Sequence, residues 1–136
     1  IVGIGNLGGD ARFIGSRGKD AHGDLFEQGL RDSRVEPILS ISDLPTGNAL
    51  SVITPDAQRS MFTFLGASTL LDPLSITPDM FKETAIADIE GYLLFNPELM
   101  MAALKAAKAA GSCGSNQRVS IPMSFKRPRA IDRVGS

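Results

Sequence analysis

The chain has 136 residues, of which 43% are hydrophobic and 21% charged, enough for one modest domain and not for two. Its net charge of −1 argues against nucleic acid as a main partner, since neutralising phosphates needs clustered Lys and Arg. The single cysteine, Cys113, excludes an intrachain disulfide and a cysteine-based zinc site and fits a reducing, cytoplasmic setting; no apolar run approaches the roughly 18 residues that span a bilayer, so no membrane association is expected.

Residues 1–9 are rich in glycine, and Gly3, Gly5 and Gly8 have the spacing of a dinucleotide-binding fingerprint. That fingerprint works when a strand precedes it and a helix follows, so that the pyrophosphate meets a helix N-terminus. Here a strand-like stretch, 11–15, follows instead. The segment reads better as the end of a helix packed closely on a sheet.

Residues 20–33 form the next helix, with Leu25, Phe26, Gly29 and Leu30 on one face. Pro37 opens an extended stretch over 38–42, closed by the turn residues Asp43, Pro45 and Gly47. Residues 49–53 and 59–65 read as a hairpin around Thr54, Pro55 and Asp56. Ala49, Ser51 and Ile53 share one face of the outbound strand, Leu50 and Val52 the other. Both faces are small or apolar, which suits a sheet that covers something.

Thr77, Pro78 and Asp79 carry a helix-start signal, and 86–94 reads as a buried strand. Asn96, Pro97 and Glu98 repeat the signal ahead of an alanine-rich helix that runs to Gly111, with Met100 and Met101 assigned to the core. This alternation of strands and helices predicts an α/β fold with a mostly parallel sheet and flanking helices.

After Gly111 the text changes. Residues 1–110 hold 9 basic and 14 acidic side chains, whereas 111–136 hold 5 basic and 1 acidic. Residues 112–136 are therefore expected to form a divergent, disordered tail. Only 118–121 has strand character there, enough to pair with a sheet edge.

Few residues carry chemistry. His22 stands without metal-ligand partners and reads as a surface helix residue, and no metal site is expected. Cys113 has no activating neighbour. Glu90 differs, because it sits at the carboxyl end of an apolar strand, where open α/β sheets bind ligands. A carboxylate there must be paired or hydrogen-bonded. A structural ion pair and a ligand contact both satisfy that requirement.

Three stretches together resemble the PfkB-type, ribokinase-like carbohydrate and nucleoside kinases. In 7–26, Gly8, Gly15, Gly18, Asp20 and Gly23 take the places of the second part of the family's N-terminal signature. Residues 45–68 resemble the Thr-Gly-led lid segment, with its Pro-Asp turn and an arginine leading into Leu-Gly-Ala-Ser. Residues 86–111 resemble the strand and helix that follow. The resemblance implies a partial ribokinase-like domain over 1–111, with a β-sheet lid over about 35–65. It also implies transfer of the γ-phosphoryl of ATP, with Mg²⁺, to a sugar or nucleoside hydroxyl.

By that resemblance Ala49 and Ser51 face the sugar, Glu90 lies near its hydroxyls, and Tyr92 stacks on a base as in adenosine kinases. The family's Gly-Ala-Gly-Asp segment, which supplies the anion hole and catalytic base, does not occur in these residues. No catalytic or ATP-binding residue is therefore assigned, and the chain is expected to be an inactive internal fragment. An exposed lid edge would allow a homodimer. Two other classes stay open: a non-catalytic interaction module, and a dinucleotide-dependent enzyme built on Gly3, Gly5 and Gly8.

Overall fold

The fold, a computed structural model, is described for residues 1–90, 96–111 and, in its backbone, 117–121. Among the described residues, nine elements run in the order α1 (Val2–Asn6), β1 (Ala11–Gly18), α2 (Ala21–Asp32), β2 (Val35–Ser42), β3 (Asn48–Ile53), β4 (Arg59–Phe64), β5 (Thr84–Ile89), α3 (Pro97–Ala109) and β6 (Gln117–Ile121). Three short 3₁₀ turns, at Gly66–Thr69, Pro73–Ser75 and Pro78–Phe81, carry the chain from β4 to β5.

The principal sheet has the order β2-β1-β6-β5, and each neighbouring pair is parallel. Parallel neighbours need a crossover, and α2 and α3 supply two of them, between β1 and β2 and between β5 and β6. Successive residues of β1 face opposite sides of the sheet. Ala11 and Phe13 pack with Leu30 and Val35 on the α2 side. Ile14 packs with Leu71, Phe81, Leu99 and Ala103 on the α3 side. The sheet is thus covered on two faces, as its α/β reading requires.

Both long helices begin as their caps dictate. Asp20 is extended and its carboxylate accepts from the Gly23 amide at 2.8 Å. Asn96 accepts from the Leu99 amide at 3.1 Å, with Pro97 in the first turn. Gly111, at φ +64°, takes the left-handed position beyond α3 that favours glycine.

Several details depart from the sequence expectations. The helix signal at Thr77 opens only the 3₁₀ turn Pro78–Phe81, because β5 begins at Thr84 and leaves no length for an α-helix. Leu25 is 72% exposed, since the inward face of α2 runs through Gly23 and Leu30. Met101 is 50% exposed, because the buried line of α3 is Leu99, Ala103, Ala106 and Ala107.

Residues 35–42, placed with the lid by resemblance, pair with β1 along their whole length and belong to the principal sheet. The lid is the separate hairpin β3-β4. Residues 118–121 do not lie at an edge: β6 is inserted between β1 and β5. Gly3 and Gly5 lie within helix α1 and Gly8 just beyond it, at φ +82°. No side chain fits at Gly5, whose Cβ would collide with the Ser33 carbonyl. That close packing is the reason for glycine there, and it removes the strand-turn-helix context on which the dinucleotide reading depended.

The largest fully buried side chain among the described residues is Phe81, 0% exposed in the α3-side core. Phe81→Ala is expected to lower the unfolding free energy by about 3–5 kcal/mol, the usual loss for emptying such a site. Urea unfolding followed by circular dichroism measures it.

Candidate substrate cleft

The carboxyl end of β1 opens into a cleft of about 370 Å³. Its floor is Ile14, Gly15 and Ser16 of β1 with Leu71 and Leu99, and one wall is Phe13 and Phe26. Those two rings meet edge to face, with centroids 5.4 Å apart. The roof comes from the root of the hairpin, namely Thr46 to Ala49 on the outgoing strand and Thr63 to Leu65 on the return. The Ser16 hydroxyl is buried and has no hydrogen-bond partner among the described residues.

One carboxylate organises the mouth of this cleft. Asp20 Oδ1 accepts from the Thr46 hydroxyl at 2.6 Å as well as from Gly23, and Oδ2 accepts from the Thr46 amide at 2.7 Å. The Thr46 hydroxyl oxygen in turn accepts from the Gly18 amide at 2.9 Å. Thr46 is buried, and its hydroxyl uses one donor and one acceptor direction, so the small network is closed. These bonds, led by the Thr46 hydroxyl and then the Thr46 and Gly23 amides, pull the Asp20 carboxyl from 3.8 to about 2. Glycine is required at Gly18, because a Cβ there would meet the Leu44 carbonyl and the Thr46 amide at 2.6 Å.

A second cluster fixes α2 beside β1. Arg17 pairs with Glu27 at 2.9 Å and Asp24 at 3.0 Å, and Glu27 also receives Arg31 at 2.8 Å. Hydrogen bonds from Arg31 and then Arg17 hold the Glu27 carboxyl below its usual range.

Of the residues assigned by resemblance, Ala49 lines the cleft. Ser51 lies two residues further along the same face of β3, opposite Met61, and is outside the lining. Glu90 follows the last residue of β5, half-buried and not without a partner. Phe13 and Asp88 both pair with Ser120, so two residues further on Glu90 stands level with Gly15. It is two strand spacings from β1, about 10 Å. Tyr92 and Cys113 fall outside the described residues, and His22 is exposed on α2. Sequence reasoning did not single out Phe13, Phe26 or Thr46 as site residues. The Thr-Gly pair at 46–47 was the available signal for the last of them.

Asp20 has a depressed folded-state value, so its contribution to stability is present above its unfolded value of 3.8 and is lost as pH falls towards 2. Asp20→Asn is therefore expected to destabilise the chain at pH 7 and to differ little from the parent near pH 2. Thermal unfolding at the two pH values tests this, and an equal penalty at both would contradict it.

Comparisons with known proteins place this geometry. The profile of the pfkB family of carbohydrate kinases matches residues 1–128, beyond the residue-111 limit of the sequence resemblance. A ribokinase of Arabidopsis thaliana is 29% identical over 107 residues, 73% of this chain and 27% of that protein. The solved adenosine kinase of Sinorhizobium meliloti superposes with a TM-score of 0.70 at 26% identity, covering 88% of this chain and 37% of the other. A probable sugar kinase of Rhizobium etli CFN 42 gives 0.72 at 28% identity, covering 88% and 36%. The chain thus spans roughly a quarter to just over a third of the relatives it matches. With its parallel sheet, flanking helices and hairpin lid, the chain belongs to the pfkB family of carbohydrate kinases.

Proposed function

We propose that this chain forms the acceptor side of a kinase that transfers the γ-phosphoryl group of ATP to a hydroxyl of a sugar or nucleoside. The observation that carries the reading is the hairpin-roofed cleft at the carboxyl end of β1. Its volume of about 370 Å³ suits a small molecule, and its position follows the rule for ligands in open α/β sheets. The phenylalanines Phe13, Phe26 and Phe64 favour a nucleoside over a free sugar. An aromatic base can cover such rings, whereas sugar hydroxyls would lose water without gaining partners.

In the transfer, the acceptor oxygen bonds to the γ-phosphorus as the bond to the ADP oxygen breaks, and the hydroxyl proton leaves to a base. The share of this chain is positioning. Ala49 closes the underside of the lid with Ser51 beyond it, Glu90 accepts hydrogen bonds from acceptor hydroxyls, and Tyr92 stacks on the base. The base and anion hole belong to the Gly-Ala-Gly-Asp segment, which does not occur in this sequence. Among the described residues no group of three or more His, Cys, Asp or Glu could hold a metal. No step through Mg²⁺ is assigned to them.

No helix among the described residues is long and apolar enough to cross a membrane. Leu50, Val52 and Phe62, 62%, 44% and 65% exposed, share one face of the hairpin beyond the cleft-lining Phe64, and we assign this stretch to a second copy of the chain. Sedimentation velocity is expected to show a dimer that Phe62→Asp dissociates. A monomer at every concentration would remove that assignment.

The purified chain is expected to bind adenosine and to show no ATP-dependent turnover. Saturation-transfer NMR should give signal on the adenine protons that Phe13→Ala abolishes. Glu90→Gln should weaken binding about tenfold or more, the scale of a lost charged hydrogen bond of roughly 1.5–3 kcal/mol, with little change in melting temperature. A fall in stability at unchanged affinity would make Glu90 structural. An absence of saturation transfer from both adenosine and ribose would favour a non-catalytic interaction module.

A further inference from the structure

The hairpin β3-β4 is a two-stranded sheet that pairs with no other strand among the described residues, and all its strand residues are exposed. A hairpin of this size has little stability of its own. Its placement over the cleft is therefore decided at its root, where the outgoing strand leaves the fold at Pro45-Thr46-Gly47 and the return strand enters at Leu65-Gly66-Ala67.

Three hydrogen bonds fasten the outgoing side to the base: the Thr46 hydroxyl and amide to Asp20, and the Gly18 amide to the Thr46 hydroxyl. The return side is tied to the outgoing side by the Ala67 amide, which donates to the Pro45 carbonyl at 2.8 Å. Gly47 and Gly66 flank this knot. A Cβ on Gly47 would come within 2.5 Å of the Leu65 carbonyl, and one on Gly66, at φ +49°, would collide with the Pro45 carbonyl. The two glycines allow the crossing strands to touch and leave the backbone soft immediately outside the fixed point.

We infer that Asp20 and Thr46 are positioning residues that lock the root of the hairpin to the sheet, confining its swing over the cleft to the pair Gly47 and Gly66. Asp20 serves two elements with one carboxylate. The N-cap bond to Gly23 holds α2, and the bonds to Thr46 hold the lid, so the orientation of the lid is referred directly to the helix that walls the cleft with Phe26. Hinges of this kind are a few residues at element ends that absorb the backbone rotation. The inference stands on the fold and does not depend on which acceptor the cleft takes.

The test measures lid placement without substrate. In the full chain with Cys113→Ser, spin labels replace Gln58 at the hairpin turn and Gln28 on α2, and pulsed electron paramagnetic resonance gives the distance distribution between them. Thr46→Val keeps the side-chain shape and the amide bond to Asp20 but removes the hydroxyl, and it leaves the α2 cap intact. Thr46→Val and Asp20→Asn are expected to broaden the distribution, Thr46→Ser to keep it narrow. Hydrogen exchange should show faster exchange at the Gly18 amide in Thr46→Val, with β1, β2 and α2 still protected. An unchanged distribution in Thr46→Val overturns the inference. So does a loss of protection throughout the base in that variant, which would mean that Thr46 holds the fold and not the lid.

Discussion

The architecture depends on three backbone segments meeting at one carboxylate. The end of β1, the start of α2 and the root of the hairpin approach within hydrogen-bond distance of one another around Asp20 and Thr46. The Gly18 amide is buried there and needs a partner from the protein, and the Gly23 and Thr46 amides are partly withdrawn from water. The carboxylate accepts three bonds and the threonine hydroxyl relays a fourth. Glycines at Gly18 and Gly23 are the steric condition for that approach, since a side chain at either would strike the Thr46 backbone or hydroxyl.

From this junction the cleft follows. β1 lies inside the sheet, and its alternation sends Phe13 towards α2 and Ile14 towards α3. Along the second half of β1 the hairpin root comes over the strand and lines the cleft. The cleft is therefore a consequence of sheet topology, with the chemistry of its walls set by the side chains of neighbouring elements. Arg17 adds the remaining constraint. Paired with Glu27 and Asp24, it links α2 to the strand that shares the cleft wall.

Membership of the pfkB family fits this arrangement. The chain covers 27% of the matched ribokinase. The proposed role in holding an acceptor accounts for a cleft with largely apolar walls. It also accounts for the many exposed apolar side chains of the hairpin, among them Leu50, Phe62 and Leu65. Such surface is unfavourable in isolation and is suited to burial against a ligand or a partner.

Local chemistry determined much of this by itself. Asp20 and Asn96 cap helices because their short side chains reach the amides three residues on, and that relation is written in sequence spacing. The hairpin was legible because strand-forming runs flank turn residues, and the parallel α/β class because strands and helices alternate. Tertiary structure decided the rest. A short strand such as 117–121 carries no mark of which neighbours it will have, and only the sheet order places it between β1 and β5. The stretch 35–42 reads equally well as lid or sheet until its register with β1 is fixed. The helix signal at Thr77 was overridden because β5 begins too soon after it. Phe13 and Phe26 became a cleft wall, and Asp20 and Thr46 a joint, only when segments 13 and 26 residues apart met. Contacts between distant segments are set by packing of the whole chain, and no periodicity or local propensity encodes them.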